Sequence, residues 1–511
     1  MTVKISSIGL KGLEGYRVQV EVQISPGLPS MVIVGLPDVS VKESKERVLS
    51  ALRTMDAKRP NQRIVINLSP SEQKKNGPLF DLAMAIGILK EYGEIKSDIS
   101  PDTLFLGALS LDGTIEKVEG MLPALISAEK LGFKKVYLPP DPLIPVDMLE
   151  GLECTIVHHI HDVLTSISGH CLVSHSSVKP QAKSSFNGSL YQKNFSQIIG
   201  HEHAKYALEV AAAGGHNVLM SGPPGCGKSL LAETFPSILP PLSKQNILEV
   251  ISLYQLANEQ LLNPEHAPYR HPHHSASSVA IIGGGSYPKP GEISLAHHGV
   301  LFLDEMAEFT KKTLDMLRQP LETGKVTISR VHSTVTYPAS FILIGAMNPC
   351  PCGYLGSPSH YCTCTKKQIR SYINRISGPV LDRMDILLSL NPVDLGLKNR
   401  DTDSSEIIRS RVIRARELQT ERNKGPTNAT VPFETLIRTS FLTEKQRKFI
   451  KQMSMNHQWS NRVEIKIIRL ARTISDLAGE TRITDESIWK AVKFRRNFEG
   501  KEIKAKTSLE T

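Results

Sequence analysis

The spacing of apolar positions divides the 511-residue chain into three regions. In the first, Met1 to about Gly169, Arg17–Ile24 reads RVQVEVQI, with Val18, Val20, Val22 and Ile24 on one side. That alternation predicts a half-buried strand. Further strand patterns occur at Met31–Gly35, Arg63–Leu68, Leu104–Leu109 and Lys135–Leu138, and helix patterns at Val39–Met55, Phe80–Tyr92 and Gly120–Leu131. Together they predict an α/β domain with its own core. Residues 170–194, including SHSSVKPQAKSSFNGS, lose the periodicity and read as a flexible linker. From Phe195 the apolar runs become short and continuous, as in buried parallel strands, up to about Asp394. Helical spacing follows from 395 to about 500, and no internal repeat is evident.

Length predicts three or four structural units. No apolar run approaches the roughly 18 residues of a membrane span. The N-terminus alternates instead of forming a signal peptide's continuous apolar stretch. Four of the seven cysteines lie within fifteen residues, unlike the spaced framework of a secreted domain. A cytoplasmic chain with reduced thiols and no membrane association is expected. The formal charge of +10 permits a polyanionic partner without establishing one.

Chemistry enters at Gly222–Ser229, GPPGCGKS, which satisfies G-x-x-x-x-G-K-[ST] between a strand pattern (His216–Met220) and a helix pattern (Leu230–Phe235). In that context the loop of Gly222, Pro223, Pro224, Gly225, Cys226 and Gly227 closes around the phosphates, its glycines letting backbone N–H groups of the non-proline residues approach them. Lys228 neutralises the β/γ-phosphates, and the Ser229 hydroxyl joins a Mg²⁺ shell. Ile199 and Gly200 are assigned to the same ATP-binding set. Cys226 reads as a small filler.

VLFLDE at Val300–Glu305 is an apolar run ending in two acids. As a buried strand it delivers Asp304 to Mg²⁺ and Glu305 to the attacking water; otherwise the pair caps a helix. FILIGAMN at Phe341–Asn348 ends in an amide that orients the water or senses the γ-phosphate, or else caps a turn before Pro349. Arg383, in SGPVLDRMDI, suits a transition-state contact to a neighbour's ATP in a ring; the alternative is a salt bridge to Asp382 or Asp385. Arg462, opening RVEIKIIRLARTISDLA, is a candidate for the same subunit's nucleotide, with Arg469 and Arg472 behind it.

Cys350, Cys352, Cys362 and Cys364 form Cys-x-Cys, nine residues, Cys-x-Cys. Four thiolates can complete a tetrahedral Zn²⁺ shell; the alternative is a set of reduced or redox-active thiols in an exposed loop. The histidine-rich stretch His266–His274 (HAPYRHPHH) suggests metal as well, but without a set of acid or thiol partners it reads as a loop.

These motifs, in this order, resemble the ComM/YifB family of magnesium-chelatase-like AAA+ ATPases. HHSASSVAIIGGGSYPKPGEISLAHHGVLFLDE (His273–Glu305), MNPCPCG (Met347–Gly353), ISGPVLDRMDI (Ile376–Ile386) and RLARTISDLAG (Arg469–Gly479) carry the likeness, which spans nearly the whole chain. It implies an AAA+ core, a parallel sheet with helices, followed by a small C-terminal helical lid. It also implies inserts at about Ser275–Ile293 and at a hairpin of about Lys325–Tyr337. In a hexamer that hairpin lines the pore, where Arg330 and His332 contact nucleic-acid phosphates; a purely structural hairpin is the alternative. The alternation in VTISRVHSTVTY supports the hairpin independently.

The N-terminal region resembles the Lon protease domain, but Leu79 stands where that fold carries its nucleophilic serine and Ala124 where it carries its lysine. Without nucleophile and base the domain reads as peptidase-inactive. The resemblance therefore implies a hexameric ATPase acting on branched or single-stranded DNA, in recombination or transformation. A protein remodeller is the alternative. Metal insertion is disfavoured because D-x-S-x-S is absent from the chain. The basic run Lys490–Lys506 either adds phosphate contacts or is a solvated helix end.

Overall fold

The computed structural model describes residues 2–55, 62–168, 193–261, 263–285, 288–330, 333–357, 360–393 and 402–495. The predicted linker, apart from residues 193–194, lies outside them, as do His332, the side chain of Arg330 and the basic run beyond Arg495. The chain divides into two compact units, Met1–Phe186 with Lys244–Leu262, and Asn187–Ser243 with Asn263–Thr511. Among the described residues, no helix is long and apolar enough to cross a membrane.

The first unit contains β1 (Val3–Lys11), β2 (Glu14–Pro26), β3 (Ser30–Val34), α1 (Val39–Thr54), β4 (Gln62–Ser69) and α2 (Asp81–Glu91). There follow β5 (Thr103–Phe105), β6 (Ala108–Leu109), β7 (Ile115–Glu116), α3 (Met121–Lys130), β8 (Lys135–Leu138), β9 (Glu153–Ile156) and α4 (Ile160–Ile167). Seven strands form a mixed sheet in the order β3-β4-β2-β1-β5-β8-β9. Val18, Val20 and Val22 are wholly buried on one face of β2, as alternation requires. Asp38 caps α1 by accepting from the Val41 N–H at 2.8 Å.

The single strand expected over Leu104–Leu109 is two. It breaks at Leu106–Gly107, where Gly107 takes φ +145°, and β6 leaves the main sheet to pair with β7. Leu79 and Ala124 are both buried.

The second unit opens with α5 (Glu202–Gly214), β10 (Val218–Ser221) and α6 (Lys228–Thr234). The next helix, α7 (Lys244–Ala257), belongs to the first unit; there Gln255 accepts from the Leu122 N–H at 3.1 Å. The second unit resumes with β11 (Tyr269–Arg270), α8 (Ser278–Ile282), β12 (Gly283–Gly284), β13 (Lys289–Pro290), α9 (Glu292–Leu295) and β14 (Val300–Leu303). Then come α10 (Lys311–Met316), α11 (Arg318–Thr323), β15 (Lys325–Arg330), β16 (Ser333–Pro338) and β17 (Ile342–Met347). The series ends with α12 (Lys366–Ile373), α13 (Gly378–Leu381), β18 (Ile386–Ser389), α14 (Ser405–Asn423), α15 (Phe433–Ser440), α16 (Glu444–Asn456) and α17 (Asn461–Leu477), and helix continues at 485–495.

Five strands form an all-parallel sheet in the order β11-β14-β17-β10-β18. β14 and β17 are buried along their whole length, which explains their unbroken apolar sequence. This is the expected fold class, α/β, with helices following the ATPase-like core. The hairpin pairs Lys325 with Pro338 through to Arg330 with Ser333, antiparallel. The other insert holds α8, the short β12–β13 pair and α9.

Candidate functional site

Parallel pairing lines up the C-terminal ends of β10, β17 and β14, and the site lies there. Gly222 N–H donates to the Met347 carbonyl at 3.3 Å, joining the start of the Gly222–Ser229 loop to the end of β17. Gly227, at φ +83°, turns the chain into α6, a conformation that glycine adopts without steric cost.

Lys228 is buried, and its ammonium donates to the carbonyls of Gly222 at 2.7 Å and Pro223 at 3.0 Å. A third bond, at 3.2 Å, goes to Asn348 Oδ1. Burial pushes the Lys228 pKa down, with Cys226, Asp304 and Glu305 pulling it back up. Ser229 Oγ donates to Asp304 Oδ2 at 2.9 Å. A hydroxyl, a carboxylate, an amide and an ammonium therefore converge beside a loop of backbone N–H groups. That donor set fits a polyphosphate with a hard divalent cation. Cys226 is buried, and burial pushes its thiol pKa up.

Glu305 occupies the left-handed region at φ 48°, ψ 43°. For a non-glycine residue this costs about 1–2 kcal/mol. Such strain concentrates where a side chain must be aimed. Its backbone N–H donates to Asp304 Oδ1 at 2.8 Å, and its carboxylate lies 3.3 Å from His274 Nδ1. His271–His274 lie in a loop, as the sequence suggests, but the expected lack of an acidic partner does not hold for His274. Glu305 is 31 residues away in sequence, and only the return of the chain along β14 brings it to His274. His201, which sequence reasoning also missed, directly precedes α5 without a side-chain bond to the helix end, its ring engaging the Cys226 backbone instead. It directly follows Ile199 and Gly200. Gly200 itself packs against Val393.

Arg383 follows α13, as the sequence suggests, but its intrachain partner is Glu322 on α11 and not Asp382 or Asp385. It also donates to the Pro379 carbonyl at 2.7 Å. Asp385 is turned inward instead. Its carboxylate lies 2.8 Å from Lys466 Nζ and 3.6 Å from His216 Nδ1, and it accepts from the Asn217 N–H at 3.0 Å. Burial raises the Asp385 pKa, but Lys466 and His216 together outweigh it and hold the carboxyl well below the usual carboxylate range. His216, wholly buried, is kept neutral because burial lowers its pKa more than Asp385 raises it. Asn217 ties these parts together. Its side chain donates to the Arg383 carbonyl at 3.2 Å and accepts from the Leu343 N–H at 2.8 Å.

Arg462 is exposed near the start of α17. Arg472 is buried and spent on Asp476, at 2.8 Å, and on the Glu480 and Thr481 carbonyls, while Arg469 donates to the Val431 carbonyl. Arg495, counted in the basic run, is also turned inward, onto the Met384 carbonyl.

The four cysteines of the Cys-x-Cys pairs place their sulfurs within 4.8 Å of one another. Cys350 and Cys352 are 3.4 Å apart, Cys350 and Cys362 3.7 Å, and Cys352 and Cys362 3.6 Å. A Tyr354 N–H directed at Cys352 and the neighbouring thiols bring the Cys352 pKa down to about 6, whereas burial raises that of Cys350.

The sequence matches the magnesium chelatase, subunit ChlI family over residues 194–396. It matches the subunit ChlI of Mg-chelatase family over residues 20–142, and the subunit ChlI C-terminal family over residues 402–495. It is 36% identical over 490 residues to the uncharacterized protein YifB of Escherichia coli, covering 95% of each chain. To the competence protein ComM of Haemophilus influenzae it is 36% identical over 491 residues, again covering 95% of each. A shorter likeness, 36% over 94 residues, links it to the DNA repair protein RadA of Streptococcus pyogenes, covering 18% of this chain and 20% of that one.

Proposed function

Since the chain belongs to the ComM/YifB family of magnesium-chelatase-like AAA+ ATPases, we propose that it is a ring-forming ATP hydrolase that moves on DNA. The observation that carries the hydrolase half is the convergence of Lys228 with Asn348 and of Ser229 with Asp304 at the ends of adjacent parallel strands. Lys228 and the loop Gly222–Gly227 hold the phosphates, and Ile199 and Gly200 border the same nucleotide. Ser229 and Asp304 hold Mg²⁺. When bound, ATP·Mg²⁺ supplies a transferable phosphoryl group whose charge the metal offsets. Glu305 orients the attacking water, with His274 against its carboxylate. Asn348 reports the γ-phosphate, and Arg462 reaches the nucleotide of its own subunit.

In a hexamer, Arg383 of one subunit serves the nucleotide of the next, after exchanging Glu322 for phosphate. Guanidinium suits that exchange because it is always charged and multidentate. Four thiolates at Cys350, Cys352, Cys362 and Cys364 suit Zn²⁺. The DNA half rests on the likeness to a competence protein and to a DNA repair protein, on the charge of +10, and on a hairpin pairing Lys325–Arg330 with Ser333–Pro338, whose sequence includes Arg330 and His332. The test is ATPase rate and oligomeric state with and without a four-way DNA junction or single strands. Stimulation with hexamer formation is expected. A rate indifferent to both DNAs would sink the motor reading and favour a remodeller of protein partners.

A further inference from the structure

The chain from Cys350 to Cys364 lies between β17 and α12, and among its described residues it has no helix or strand. A tetrahedral Zn²⁺ with bonds of about 2.3 Å requires sulfurs about 3.8 Å apart. The separations of 3.4–3.7 Å lie close to that edge and far from a disulfide's roughly 2.05 Å. The Leu355 N–H also points at Cys350 Sγ, at 3.4 Å, a contact that supports a charged sulfur.

This knot is built onto the ATP site. Cys350 comes two residues after Asn348, whose side chain accepts from Lys228. Gly353, between the first Cys pair and Leu355, sits at φ +84° and donates its N–H to the Cys350 carbonyl at 3.0 Å. A methyl group in place of its hydrogen would fall 2.9 Å from the Pro224 ring of the phosphate loop and 3.9 Å from Asn348 Cγ. The loop's outer wall is therefore the backbone of the cysteine knot, with no room for another carbon.

We propose that Zn²⁺ bound by Cys350, Cys352, Cys362 and Cys364 positions Asn348 and Pro224, so that nucleotide binding and hydrolysis depend on this second metal. The inference rests on the ATPase reading. Without the ion the four thiols no longer bind the two Cys-x-Cys pairs to each other, and the wall against Pro224 loosens.

The experiment measures zinc per chain, affinity for a fluorescent ATP analogue, and ATPase rate. The protein is assayed as purified, after a chelator that removes Zn²⁺ and spares Mg²⁺, and after Zn²⁺ is returned. One zinc per chain is expected, with at least a tenfold loss of affinity and rate on stripping, both restored by Zn²⁺. No zinc in the purified protein overturns the site. Stoichiometric zinc whose removal leaves affinity and rate unchanged overturns the coupling and leaves the ATPase reading intact. If the zinc-loaded protein hydrolyses nothing, the ATPase reading fails, while the affinity measurement still decides the coupling. Cys352→Ser with Cys362→Ser should reproduce the stripped state. Should that variant not fold, Gly353→Ala keeps all four ligands; it should retain its zinc and bind nucleotide about tenfold more weakly, and unchanged affinity would overturn the contact.

Discussion

Lys466→Met isolates a buried charge. In the wild-type protein Lys466 reaches from α17 to the Asp385 carboxylate at 2.8 Å and donates to the Met384 carbonyl at 3.0 Å, immediately after Arg383. Methionine keeps most of the length and volume but leaves Asp385 with the Asn217 N–H, a neutral His216 and the more distant charge of Arg469. Breaking a buried pair from one side costs about 3–5 kcal/mol. The pH dependence follows from the direction of the Asp385 shift. With its folded pKa depressed in the wild type, Asp385 contributes stability above its unfolded value of about 4, lost only in strong acid as pH falls through the folded pKa. In the variant the buried carboxylate without its lysine has a raised pKa, so its penalty is largest at neutral pH and fades as pH falls through that raised pKa towards about 4. Both tryptophans, Trp459 and Trp489, lie in the C-terminal helical region, so fluorescence during urea unfolding reads this part of the chain. Adding Asp385→Leu to Lys466→Met should recover at least about half the loss, because both charges are then gone. A single-variant penalty under about 1 kcal/mol at pH 7, or a double variant no more stable than the single one, would refute the reasoning.

Lys228→Ala should abolish binding of a fluorescent ATP analogue, whereas Glu305→Gln should bind it normally and release phosphate at least a hundredfold more slowly. A freely hydrolysing Glu305→Gln protein would take the water-orienting role from Glu305. Arg383→Ala should keep ATP binding and lose hydrolysis; mixing it with Lys228→Ala subunits should restore part of the rate, and no restoration speaks against action across a subunit boundary. His274→Ala should lower the maximal ATPase rate several-fold without weakening ATP binding. An unchanged rate would make His274 a spectator of Glu305.

Some of this was legible because its cause is local. GPPGCGKS needs only glycines where the backbone turns, and VLFLDE and FILIGAM needed only unbroken apolarity to read as strands buried on both faces. β2 followed from alternation, and α1 from its helical apolar spacing. The cysteine pairs were visible as spacing, and the gathering of their sulfurs was only a possibility until the chain was folded.

The rest depends on contacts between residues far apart in sequence, which leave no periodic trace. Asn217 meets Leu343 across 126 positions and Asp385 across 168. His274 finds its acid only through β14, Arg383 finds Glu322 and not its own neighbours, and Gly353 closes on Pro224. A helix pattern says which face is apolar but not what covers it. For that reason α7, lying between the phosphate loop and β11 in sequence, could be assigned to the first unit only from the tertiary contacts. Sequence by itself therefore determined the chemical groups and the elements that carry them, because local backbone sterics and one-sided burial act over a few residues. Tertiary structure alone decided which groups meet, because strand order and helix packing minimise exposed apolar surface over the whole unit.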